Sequence, residues 1–140
     1  MNKSHCILLA HGSRDLRWCE TLQSGLSSVE SQLQQTATLA YMEMAKPSLE
    51  ETVAQQYQLG IRNFNVIPLF FAAGKHLLVD VPNIFESLRQ QLPGVRFMLQ
   101  APLGQEPMFW QFVAGCINDI GVTVIDNSQG NAVNLTEPAE

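Results

Sequence analysis

The chain lacks most of the features that mark extracellular, membrane or nucleic-acid-binding proteins. Its three cysteines, Cys6, Cys19 and Cys116, are odd in number, far apart and without a Cys-x-x-Cys pair. Neither a disulfide framework nor a thiolate metal site is expected, and the thiols read as reduced core residues of a cytoplasmic protein. No apolar stretch approaches the roughly 20 residues that a membrane helix needs. The opening MNKSHCILLAHGS has one lysine before a short apolar run and no small-residue cleavage site after it; it reads as a first strand and not as a secretory leader. Positive charge is scarce: eight Lys and Arg against thirteen Asp and Glu leave a net charge of −5. With no basic run and no aromatic-basic interleaving, that balance argues against a nucleic-acid partner. Charged residues make up only 15% of the chain against 46% apolar ones, enough to fill one core, and 140 residues suit one ordinary domain.

What is present alternates in type. CILLA (6–10) is a short continuous apolar run. Leu16, Cys19, Leu22, Leu26, Val29 and Leu33 recur at helical spacing. ATLAYMEM (37–44) reads as a second strand. The segment KPSLEETVAQQYQLG reads as a helix that admits Pro47, carries Glu50 and Glu51 early and stops at Gly60. FNVIPLFF (64–71) is a third strand, and Pro82 opens a helix to about Leu92. VRFMLQ (95–100) is a fourth strand, and EPMFWQFVAGCINDIG a last helix closed by Gly121. Fourfold strand-helix alternation implies an α/β domain: a four-stranded parallel sheet with helices on both faces. Right-handed crossovers favour a flavodoxin-like strand order 2-1-3-4. The domain is expected over residues 1–121. Residues 122–140 are polar, with two short β-like patches around Asn-Ser-Gln-Gly, and read as a tail or a hairpin arm.

In open parallel sheets, ligands bind beyond the carboxyl ends of the strands. Three segments send polar residues there. His11, Gly12, Ser13 and Arg14 follow the first strand, Glu43 and Lys46 end the second, and Lys75, His76 and Asp80 follow the third. In the order 2-1-3-4, at ~4.8 Å per strand, Glu43, His11 and His76 line one rim over roughly 10 Å. Each residue has a plainer reading by itself. Either histidine suits a backbone-bonded loop position, Glu43 a capping carboxylate, and Asp80 the N-cap of the next helix. His5, before the first strand, reads as a surface residue, and Phe109, Trp110, Phe112 and Val113 as packing. The convergence separates the rim from these plainer readings, since two of only three histidines fall at one edge. Four of the eight basic residues, Arg14, Arg17, Lys46 and Lys75, lie in or just beyond the same loops, which suits an anionic ligand as well as it suits solvated charge.

Two imidazoles and a carboxylate form a ligand set for Fe, Co, Ni or Zn, with positions left open because a closed structural site takes four protein ligands. Imidazole also accepts protons near neutral pH. Exchange of a metal for two N–H protons on a macrocycle would use both properties.

The segments LLAHGSRD (8–15), YMEMAKPSLEE (41–51) and VIPLFFAAGKHLLVDVP (66–82) resemble, in order, the signature regions of the small class II chelatases, the CbiX-type sirohydrochlorin chelatase family. The resemblance runs over roughly residues 5–120. It implies a chelatase-like α/β fold and insertion of Co2+, Fe2+ or Ni2+ into sirohydrochlorin, on the way to cobalamin, sirohaem or a nickel tetrapyrrole. By the same resemblance His11 and His76 handle the metal and accept protons, and Glu43 assists them. Ser13, Arg14 and Lys75 would meet the carboxylates of the substrate. The metal is then a substrate, with no organic cofactor. The small form is similar to half of a duplicated long form, which implies a homodimer. A histidine-rich segment is absent, and the resemblance does not assign residues 122–140.

Other readings compete. A histidine phosphatase needs an arginine before the histidine, where Ala10 stands here. A non-catalytic metal or tetrapyrrole carrier could use the same rim without turnover. An α/β interaction domain would tolerate loss of His11 and His76.

Overall fold

The computed structural model describes residues 3–119 and the backbone of residues 123–126 and 131–134. The chain divides into two compact units, Met1–Gln105 and Glu106–Glu140, and each is described by itself. The first contains β1 (Ser4–Ala10), α1 (Leu16–Val29), β2 (Ala37–Tyr41), α2 (Leu49–Gln58), β3 (Asn63–Pro68), α3 (Val81–Gln91) and β4 (Arg96–Leu99). Its strands form one parallel sheet in the order β2-β1-β3-β4, with Leu8 opposite both Leu39 and Ile67, and Val66 opposite Leu99. This is the expected topology.

Alternation along the strands creates two cores. Ile7 and Leu9 of β1, with Ala40, Phe64 and Val66, face Leu49 and Val53 of α2 and Val81, Phe85 and Leu88 of α3. All are buried, and burying each large side chain contributes roughly 1.5–3 kcal/mol. On the other face Ala10, Leu39 and Tyr41 pack with Leu26 of α1, flanked by half-buried Cys19 and Leu22. The helix starts are fixed locally. Asp15 accepts a hydrogen bond from the Arg17 backbone N–H at 3.0 Å. Ser48 and Glu51 form a reciprocal capping box ahead of α2. That box begins the helix at Leu49, so Pro47 lies before the N-cap and not within the helix as the sequence suggested.

Other boundaries also shift. The α-helix from Leu16 gives way after Val29 to a 3-10 turn, Glu30–Gln32. β2 ends at Tyr41 and β3 at Pro68, although backbone bonding continues past both: Met42 N–H donates to the Ala10 carbonyl at 2.9 Å and Leu69 N–H to Leu9 at 2.8 Å. His5 is not a surface residue. It sits within β1, 3% exposed, with Nδ1 2.8 Å from Thr36 Oγ1 and Nε2 2.9 Å from Thr38 Oγ1. Those two hydroxyls make its burial tolerable. Cys6 is buried, and Cys19 and Cys116 are half-buried.

In the second unit, α4 spans Pro107–Asn118, short of Gly121, which lies outside the described residues. Of the four residues expected to pack, Phe109 and Val113 are half-buried, Trp110 and Phe112 are exposed, and no residue of α4 is fully buried. Apolar side chains from Met108 to Ile117 spread over well more than half of the helix circumference, a wider arc than one narrow packing stripe. Strands β5 (Thr123–Asp126) and β6 (Asn131–Asn134) pair antiparallel, with Val124 opposite Val133.

Candidate active site at the carboxyl edge of the sheet

Where β1 ends, the chain turns through His11 and Gly12. Gly12 has φ 101°, a conformation that favours glycine, and a methyl group there would overlap the Glu43 carbonyl oxygen. The close approach is tied by the Glu43 N–H, which donates to the His11 carbonyl at 3.0 Å. Glycine at this position therefore sets Glu43 beside His11. The next residue, Met44, takes φ 61°, a left-handed conformation costing roughly 1–2 kcal/mol outside glycine; backbone strain of this kind gathers at functional sites.

His76 is not on a loop. The Gly74 carbonyl accepts hydrogen bonds from Leu77 and Leu78 N–H at 3.1 and 2.9 Å, and residues His76–Asp80 form a π-helical turn continuous with α3. Leu77, buried, pins that turn to the core. Gly74 needs no positive φ, and an added methyl would meet nothing, so the turn does not depend on glycine. Asp80 was expected to cap α3. Instead it is helical and makes no side-chain cap bond. Its Oδ2 lies 2.8 Å from His76 Nδ1, because the helical turn already extends upstream and leaves no free N-terminus to cap.

The edge therefore gathers the three expected residues. His76 Nε2 faces Glu43 Oε1 at 3.9 Å. The His11 ring meets the His76 ring edge-on, 5.8 Å between centroids, and stacks on buried Phe70 at 4.1 Å and 19°. A 3.9 Å gap is too long for a hydrogen bond. It is close to twice the ~2.0–2.2 Å bond that a metal makes to imidazole nitrogen or carboxylate oxygen. Among the described residues no three His, Cys, Asp or Glu side chains close on one point as a metal cage. The rim offers a two-donor gap with a second imidazole beside it.

The other candidates divide. Ser13 Oγ accepts from Asp15 N–H at 3.0 Å and so shapes the loop. Arg17 is held at 2.8 Å by Asp15, and the hydrogen bond from its guanidinium holds the Asp15 carboxyl below the usual carboxylate range. That pair takes Arg17 out of the set available to an anion. Arg14, Lys46 and Lys75 are exposed at the rim. So are Leu16, Met44 and Leu78, which supply apolar surface beside the charges. Beneath the edge, burial first and the neighbouring Cys19 second raise the Tyr41 hydroxyl above its ordinary range, so it stays neutral. Sequence reading missed the Phe70 stack and the Asp80 partnership. The second had a signal, since His76 and Asp80 stand four residues apart, a spacing that brings helical side chains together.

The CbiX family model matches residues 5–119. A sirohydrochlorin ferrochelatase of Arabidopsis thaliana chloroplasts is 31% identical over 65 residues, covering 46% of this chain and 29% of that protein. The chain thus matches less than a third of that relative's length. A sirohydrochlorin cobaltochelatase of Sulfurisphaera tokodaii is 26% identical over 98 residues, covering 70% of this chain and 78% of that one. A solved CbiX protein structure from Marinobacter aquaeolei VT8 superposes with a TM-score of 0.73 at 39% identity, covering 83% of this chain and 95% of the other.

Proposed function

The chain belongs to the CbiX family, and from that premise we propose that it inserts a divalent metal, Co2+, Fe2+ or Ni2+, into sirohydrochlorin. The observation that carries this reading is the 3.9 Å gap between His76 Nε2 and Glu43 Oε1, with the His11 ring beside it. Both curated relatives compared above are chelatases named for sirohydrochlorin, one for cobalt and one for iron.

The stoichiometry sets the roles. One M2+ enters the macrocycle and two pyrrole protons leave, so the site must release a metal and accept protons. His76 and Glu43 hold the incoming ion across their gap, and His11 completes the metal-handling pair. As the ion passes to the pyrrole nitrogens, the freed imidazoles take up the protons and pass them to water, which the exposed rim admits. Glu43 offsets the positive charge that builds on them. Ser13, Arg14 and Lys75 meet the carboxylates of the macrocycle, and Leu16, Met44 and Leu78 its flat faces. His and Glu donors do not discriminate Co, Fe and Ni by type, so the pathway served, cobalamin or sirohaem, follows from metal supply. The protein works in the cytoplasm as a homodimer in this reading; the support for the dimer is α4, none of whose apolar residues is buried. Among the described residues no helix is long and apolar enough to cross a membrane.

The test is a multiple-turnover assay with protein, sirohydrochlorin and each metal in turn, followed by absorption. Acceleration over the spontaneous reaction through many turnovers is expected. A stoichiometric burst without turnover would mean a carrier, and no acceleration with any metal would overturn the reading.

A further inference from the structure

We infer that Asp80 is a positioning residue that locks His76 as the Nδ1–H tautomer, committing the Nε2 lone pair to the incoming metal. The inference rests on the metal-handling role proposed for His76. Asp80 contributes no helix cap, and its Oδ2 lies 2.8 Å from Nδ1. A carboxylate oxygen only accepts hydrogen bonds. With the proton on Nε2, the Nδ1 lone pair would meet a carboxylate lone pair at that distance, so Nδ1 must carry the proton. Nε2 is then left bare toward the gap facing Glu43, whose carboxylate stands 3.9 Å away. The π-helical turn serves this arrangement: it places residues 76 and 80 on one side while buried Leu77 fixes it to the core.

His11 is held differently. Stacking on Phe70 orients its ring plane but selects neither nitrogen. The two histidines are therefore unequal: His76 is preset as an electron-pair donor, and His11 remains free to exchange tautomers as protons arrive. Losing a carboxylate partner behind a metal-binding imidazole commonly costs 10–100-fold in metal affinity.

The experiment needs no tetrapyrrole. In protein labelled with 15N-histidine, at about pH 9 where free imidazole is neutral, the ring-nitrogen shifts report the tautomer of His76. A dominant Nδ1–H form is expected in the metal-free protein, and Asp80→Asn and Asp80→Ala should abolish that dominance. Co2+ titration of the same samples should show the dissociation constant rising about 10–100-fold in both variants, with the thermal midpoint within a few degrees of the parent. An Nε2–H form in the parent overturns the inference, and so does unchanged Co2+ affinity in both variants. His76→Ala separates this outcome from failure of the site itself. If His76→Ala weakens Co2+ binding and the Asp80 variants do not, only the role of Asp80 falls. If His76→Ala also binds normally, the metal-handling rim falls with it.

Discussion

His5 and His76 are the same residue type at opposite ends of one sheet, and their surroundings differ in every respect that decides what an imidazole does. His5, at the amino end, is 3% exposed and has a threonine hydroxyl on each ring nitrogen. Burial lowers its pKa. His76, at the carboxyl end, has a side chain 41% exposed, one nitrogen occupied by Asp80 and the other facing a carboxylate across open space. A satisfied, dry imidazole stabilises a strand. A half-satisfied, wet one is available for chemistry. The strand count does not make that distinction, because both residues follow from placing apolar strands in the order 2-1-3-4.

The largest effect on the carboxyl-end rim is expected at Gly12. Gly12→Ala adds a methyl against the Glu43 carbonyl in a left-handed conformation, and should cost about 2 kcal/mol or more in unfolding free energy and most of the metal-insertion rate. Denaturant unfolding beside the turnover assay checks both, and a stable, active variant would mean that the two rim loops are not locked together. Glu43→Gln keeps the shape and removes the charge; the rate should fall about 10–100-fold with stability unchanged.

At the other end the signature should reverse. His5→Leu should lower stability by about 1–2 kcal/mol, since it strips the Thr36 and Thr38 hydroxyls of their partner, while the turnover rate per folded molecule stays at the parent value. The pH dependence carries the same sign. The folded state disfavours charged His5, so the unfolded chain binds more protons and stability falls as pH drops below about 6.5, the ordinary histidine value. In His5→Leu that part of the acid slope should be missing from unfolding midpoints measured across pH 5–8. The smallest effect is expected at Arg14→Ala, a few-fold rise in KM for sirohydrochlorin with kcat nearly unchanged, because an exposed cation contributes about 1 kcal/mol or less. A kcat loss there would give Arg14 a place nearer the chemistry.

Much of this was legible in the sequence. Continuous apolar runs marked buried parallel strands, and the order of segments brought His11, Glu43 and His76 to one edge before any distance was known. What escaped was local. The π-helical turn at His76–Asp80 hid from a reading that used Pro82 as the helix start, because proline is normally confined to a first helical turn, whereas here it follows an upstream turn that is already helical. Asp80 suits an N-cap by residue type, and only the helix extending upstream shows it free to bond His76. Histidine is commonly exposed, so His5 reads as a surface residue, and its two partners, Thr36 just before β2 and Thr38 within it, lie 31 and 33 residues away.

The most direct measurement is the initial rate of Co2+ insertion into sirohydrochlorin by His76→Ala, read with the thermal midpoint of the same sample. A rate lower by about a hundredfold or more at an unchanged midpoint is the expected result. A variant that folds normally and inserts Co2+ at the parent rate would contradict the assignment of this rim as the catalytic site.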